Sequence, residues 1–143
     1  MYVQQISVFI ENAPGKLAEF AELLGREGID LIALSIADTT NFGILRCIVS
    51  DWERAAKVIS KAGYTATVTE VLAVAVPDHP GGMAQAIRVL TDAGISIEYL
   101  YSFVRQAGKG ALLIFRVDAL EDAAKVLAGG GFELLTEEKV RAL

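Results

Sequence analysis

Asn12-Ala-Pro-Gly-Lys-Leu-Ala18 and Asp78-His-Pro-Gly-Gly-Met-Ala84 stand 66 residues apart and agree in kind along their length. Gly28-Ile29-Asp30 and Gly94-Ile95-Ser96 keep the same spacing. Farther on, Ala55-Ala-Lys-Val58 is answered by Ala123-Ala-Lys-Val126, and Gly63-Tyr64 by Gly131-Phe132, at a spacing of 68. The two extra residues fall in the turn Ala107 to Gly110, the kind of hairpin tip that accepts insertions. Self-similarity at a fixed period is a statement about architecture before any element is assigned. It divides the chain into domains at 1-70 and 71-143.

Each half reads strand, helix, strand, strand, helix, strand. Val3 to Ile10 is rich in β-branched residues, as strands are. After Asn12 and Pro14, a cap and a first-turn proline by type, Leu17, Phe20, Ala21 and Leu24 share one helical face. Gly28 ends that helix. Ile29 to Ala37 and Gly43 to Ser50 follow as strands, and Ser50-Asp-Trp-Glu53 has the spacing of a capping box for a helix to about Ala62. Tyr64 to Thr69 is the fourth strand. The second half gives strand Val71 to Val76, helix Pro80 to about Ala93, strands Ile95 to Val104 and Ala111 to Val117, helix Leu120 to Ala128 and strand Phe132 to Leu135. No Pro or Gly interrupts Tyr64 to Val76, so one unit runs directly into the next and the two are expected to be rigidly coupled. The fold class is α+β: two tandem ferredoxin-like βαββαβ units, with antiparallel sheets and helices on one face. Gly43 to Val49 and Ala111 to Phe115 are apolar on both faces, which calls for cover on the side away from the helices, from a sister unit or a second chain.

Composition narrows the function classes. Thirteen Lys and Arg against eighteen Asp and Glu give a net charge of -5, the wrong sign for a broad phosphate-binding face, so nucleic acid is not an expected partner. The lone Cys47 lies in an apolar run, which excludes intrachain disulfides and CxxC zinc sites. No run of about 18 apolar residues and no leader pattern are seen. The expected location is cytoplasmic, with no membrane association. A mean hydropathy of +0.44 is high for a small chain and points to an apolar surface that faces a partner chain, hence a homodimer. One His, one Cys and no GxSxG, HExxH or P-loop leave no recognisable nucleophile or metal set, so no metal, no cofactor and no catalysis are expected.

The loop Glu11-Asn-Ala-Pro-Gly-Lys-Leu17, its counterpart Pro77-Asp-His-Pro-Gly-Gly-Met83, and the later Gly28-Ile-Asp-Leu31 and Gly94-Ile-Ser-Ile97 together resemble the ACT-domain family, small amino-acid-sensing regulatory modules. The resemblance covers nearly the whole chain twice and is of the stand-alone, tandem kind without a catalytic domain. It implies two ligand-binding sets: Asn12, Ala13, Pro14, Gly15, Lys16 and Leu17 with Asp30 and Leu31, and Asp78, His79, Pro80, Gly81, Gly82 and Met83 with Ser96 and Ile97. The family closes its site across a domain interface with the start of the second strand, where it often carries Asn; Asp30 and Ser96 depart from that residue.

The loop chemistry agrees with this independently. Glycines at a helix start let backbone N–H groups approach a carboxylate, and the helix dipole favours it. Asn12 or Asp78 can hold the ammonium group. Simpler roles stand beside these: Asn12 and Asp78 as plain caps, His79 as a surface loop residue, Cys47 as packing, Arg46 and Arg116 as ion-pair members, and Tyr99, Tyr101 and Phe103 as core or interface. The reading is a non-catalytic regulator that binds a free amino acid at an interface of ACT-like domains and acts through assembly or on a regulated enzyme. The alternatives are a ligand-free structural interaction module and a small ferredoxin-like isomerase.

Overall fold

A computed structural model describes residues 2–38, 41–103 and 110–143. Val104, and Ala107 to Lys109 of the turn expected to carry the two-residue insertion, lie outside these. The elements are β1 (Val3–Glu11), α1 (Lys16–Arg26), β2 (Leu31–Asp38), β3 (Phe42–Val49), α2 (Trp52–Lys61), β4 (Ala66–Val76), α3 (Gly82–Asp92), β5 (Ile97–Ser102), β6 (Ala111–Val117), α4 (Leu120–Gly129), β7 (Glu133–Leu135) and α5 (Glu137–Arg141). Where the sequence suggests two strands, Tyr64 to Thr69 and Val71 to Val76, there is the single strand β4. Nothing between Ala66 and Val76 breaks the extended backbone. The terminal helix α5, with Thr136 Oγ1 accepting from the Lys139 N–H, was not expected from the repeat because it has no counterpart in the first half.

The chain divides into two compact units, Gln4–Thr69 and Glu70–Leu143, the latter joined by the residues up to Val3. In the N-terminal unit the strand order is β2-β3-β1-β4. β1 and β3 pair antiparallel with Ile6 opposite Cys47 and Ile10 opposite Gly43, and β2 pairs β3 with Ile36 opposite Leu45. Alternation then sends Ile6, Val8, Ile10, Leu45, Cys47 and Val49 to one face, where they pack with Phe20 and Leu24 of α1 and Ala55 and Ile59 of α2. The ring of Tyr64 meets Phe20 edge to face at 5.4 Å. On the other face Gln5, Ala33 and Ile48 are buried, whereas Phe9 and Phe42 are half exposed.

The C-terminal unit repeats this order as β5-β6-β4, with β7 on the far side of β4. Leu72, Val74, Val76, Leu113, Phe115 and Val117 pack against Ala86 and Leu90 of α3 and Ala123 and Leu127 of α4. On the opposite face the partly exposed Arg116 is paired: its Nε lies 3.2 Å from Glu98 and it donates to the Glu70 carbonyl at 3.0 Å. Tyr99 and Tyr101 stack beside it at 6.4 Å.

A glycine follows each of the four long helices, as the sequence suggests at Gly28. Gly28, Gly63, Gly94 and Gly131 have φ between +69° and +93°. After each, an apolar residue (Ile29, Tyr64, Ile95, Phe132) donates its N–H to the carbonyl five residues back. That pattern is the left-handed helix stop, in which glycine avoids the Cβ penalty and the next side chain drops onto the core.

Candidate functional site

The helix starts differ from expectation. Asn12 and Asp78 do not cap, and Pro14 and Pro80 precede the helix instead of occupying its first turn. The N-cap positions belong to Gly15 and Gly81, at φ 84° and 90°, with no side-chain cap on either helix. The main chain turns sharply there: Lys16 N–H donates to the Ala13 carbonyl at 3.2 Å and Gly82 N–H to the His79 carbonyl at 3.0 Å. A left-handed turn of this kind is what fixes glycine at both positions. As a result the N–H groups of Leu17 and Ala18, and of Met83 and Ala84, find no acceptor among the described residues. Helices α1 and α3 therefore present uncapped donors at their positive ends.

Beside the first of these starts lies a pocket of about 130 Å³ lined by Ile10, Glu11, Asn12, Ala13, Leu17, Ile36 and Gly43. The Asn12 backbone is held by its N–H to the Asn41 carbonyl at 2.9 Å. In the second unit Asp78, with Pro77 and Gln85, lines a broader concavity toward Gly130, Gly131 and Phe132. His79 is exposed, its Nδ1–H 3.0 Å from the Pro80 carbonyl. Gly82 is not left bare for a ligand. A Cβ placed on it would come 1.9 Å from the Pro77 carbonyl oxygen, so its missing side chain is used up in packing the loop on the helix.

Asp30 and Leu31 are not near the loop of their own unit. Glu11 faces Phe42 at one end of β3, while Leu31 faces Val49 at the other, so the strand separates them by about 23 Å at 3.3 Å per residue. Ser96 and Ile97 stand likewise at the far end of β6, beside Thr91, Gly94 and Ile95. Both second-strand starts are clamped reciprocally. Asp30 N–H donates to Ser50 Oγ and Ser50 N–H to the Asp30 carbonyl, each at 3.0 Å. Ser96 N–H donates to Asp118 Oδ1 at 3.1 Å and Asp118 N–H to the Ser96 carbonyl at 3.2 Å. Ser50 is thus a clamp and not the cap its spacing suggests; Asp51 caps α2, accepting from the Arg54 N–H at 3.2 Å.

Sequence reasoning missed Ile10 and Glu11, at the end of β1, and Ile36 and Gly43 as pocket residues. The only signal for the latter two was register: Ile10 opposite Gly43 brings the end of the hairpin beneath the loop. Cys47 packs in the core, and burial pushes its thiol up to about 12. Among the described residues no group of three His, Cys, Asp or Glu side chains gathers as a metal site, and no helix is long and apolar enough to cross a membrane.

Comparison with known proteins follows the same lines. The family described as an ACT domain pair matches residues 1–143. Protein BT0572 of Bacteroides thetaiotaomicron is similar at 34% identity and a TM-score of 0.93, over 100% of this chain and 98% of that one. The ligand-free regulatory subunit of aspartate kinase from Thermus thermophilus is similar in fold, at 15% identity and a TM-score of 0.64, over 89% of this chain and 91% of that one. So is the aspartate kinase of Synechocystis, at 17% identity and a TM-score of 0.54, with 89% of this chain covering 24% of that one. No sequence among curated proteins matches.

Proposed function

We propose, from the premise that this chain belongs to the family of ACT domain pairs, that it is a non-catalytic regulator. It binds a free amino acid at the loop between β1 and α1 and passes occupancy on through assembly or through affinity for an enzyme it regulates. One observation carries this reading: the uncapped start of α1, with the free Leu17 and Ala18 N–H groups, adjoins an apolar pocket and the side chain of Asn12. The N–H donors and dipole suit an α-carboxylate, Asn12 the ammonium group and the pocket the side chain. The free energy available from the dipole alone is about 0.3–1 kcal/mol, enough to orient a ligand and too little to hold it. Affinity must then come from the remaining contacts.

A pocket of about 130 Å³ is smaller than the roughly 300–1,000 Å³ of a complete drug-sized site. Asp30 and Leu31, which the family's pattern assigns to the same ligand, lie at the far end of β3 in their own unit. A second copy of the chain supplies them, and the half-exposed Phe9 and Phe42 give that homodimer an apolar surface. The protein works in the cytoplasm, where free amino acids signal supply.

The test is thermal denaturation with each of the twenty amino acids. At one hundred times its dissociation constant, a single-site ligand adds about 2.7 kcal/mol. At roughly 2–4 °C per kcal/mol that raises the melting temperature by about 5–11 °C. The decarboxylated amine of the active amino acid should give almost no shift. Unchanged melting with all twenty would favour the ligand-free interaction module.

A further inference from the structure

The two units share a chain path, yet their first loops are not chemically equivalent. In the N-terminal unit the pocket walls are mainly apolar: Ile10, Ala13, Leu17, Ile36 and the bare backbone of Gly43, with Glu11 and Asn12 completing the lining. Its volume, about 130 Å³, is close to that of the roughly 150 Å³ apolar cavity known to take a benzene-sized group. Gly43 sets the floor. A Cβ there would rest 3.5 Å from Ile36 Cγ2, 3.7 Å from the Ala37 carbonyl and 3.8 Å from the Ile10 carbonyl, ordinary contacts that the strand tolerates.

In the C-terminal unit the same positions are filled differently. The pairing of Ile10 with Gly43 is answered by Val76 with Ala111, so a methyl group stands where the first unit has none. Ile36, opposite Leu45, is answered by Ser102, opposite Leu113, which replaces an apolar wall with a hydroxyl. The loop also packs tightly on its helix and faces a broader concavity. The Pro77 carbonyl packs on the Cα of Gly82 in space that a Cβ would need. The matching residue of the first unit is Lys16, and there the Glu11 carbonyl accepts from the Ala13 N–H at 2.9 Å.

We infer that each chain holds one amino acid, at the N-terminal loop, selected for an uncharged apolar side chain no larger than a six-membered ring, with Gly43 limiting its size. The C-terminal loop, which opens on a broader and more polar concavity, holds none. This deepens the amino-acid-binding reading above and rests on it.

Isothermal titration calorimetry of the full chain with L-valine, L-leucine, L-phenylalanine, L-aspartate and L-lysine tests it. The expected result is one site per chain, with at least one apolar amino acid binding about tenfold or more tighter than aspartate and lysine. Gly43→Ala should weaken the largest apolar binder by about tenfold or more, the scale of one misplaced carbon in an apolar pocket, without lowering the melting temperature. Ala111→Gly should leave both affinity and the count of one unchanged. Binding of two ligands per chain, preference for a charged amino acid, or unaltered affinity in Gly43→Ala overturns the inference while leaving amino-acid sensing intact. If none of the five binds and the remaining amino acids also fail to shift the melting temperature, the sensing reading falls and this inference with it.

Discussion

Gly82→Ala separates local propensity from packing by the sign of its effect. Gly82 is the first residue of α3, and glycine is about 0.8–1 kcal/mol worse than alanine in a helix. Propensity alone therefore predicts a gain of about 1 kcal/mol and a melting temperature higher by roughly 2–4 °C. The structure predicts the reverse. An alanine Cβ would lie 1.9 Å from the Pro77 carbonyl oxygen, where real Cβ contacts stay beyond 3.0 Å, and the obstacle is backbone that cannot rotate aside. The carbonyl must retreat by about 1 Å, which disturbs the end of β4 next to Val76, a residue of the buried cluster. Overpacking of this kind costs about 1–3 kcal/mol, or roughly 2–12 °C in melting temperature for a chain of this length. Circular dichroism melts and urea titrations of Gly82→Ala measure it, with Lys16→Ala as the matching change in the first unit, expected within about 0.5 kcal/mol of the parent. A Gly82→Ala protein as stable as the parent, or more so, would refute the claim that the second loop packs tightly on its helix.

The remaining predictions concern stability and reactivity. Asp51→Ala removes the cap that accepts from the Arg54 N–H and should cost about 1 kcal/mol, read as a melting temperature lower by roughly 2–4 °C. Gly28→Ala, at φ 69° with nothing within 4 Å of the added Cβ, should cost about 1–2 kcal/mol from backbone conformation alone. Gly25→Ala inside α1 meets equally open space and should stabilise by up to about 1 kcal/mol, so urea titration of the pair distinguishes the two backbone states. Because burial raises the Cys47 thiol from 9.0 to about 12, the folded state keeps its proton longer than the unfolded state. That contribution to stability is complete below pH 9 and is lost as pH rises toward 12. Native protein should accordingly react with a thiol reagent at pH 8 only as fast as it opens, and full labelling within the dead time of mixing would contradict this.

The sequence by itself determined the repeat, the βαββαβ order of each unit and the helix stops, because these depend on local chemistry. Glycine followed by an apolar residue at Gly28-Ile29, Gly63-Tyr64, Gly94-Ile95 and Gly131-Phe132 dictates a left-handed stop whatever surrounds it. Alternation and 3.6-residue periodicity likewise assigned the core faces of β1, β3 and α1. Side-chain type was a poorer guide to the loops. Asn12, Asp78 and Ser50 have the character of caps, yet each lies where the backbone turns elsewhere, and only the fold shows Gly15, Gly81 and Asp51 in those places. Tertiary structure alone decided which residues meet. Strand register brings Ile36 and Gly43 beneath Asn12 and Leu17, and the length of β3 keeps Asp30 away from them, since pairing across a sheet joins residues that no sequence spacing connects. It also decided how two loops of matching sequence differ: where the first unit carries Lys16, the Pro77 carbonyl of the second packs in space that a Cβ on Gly82 would need.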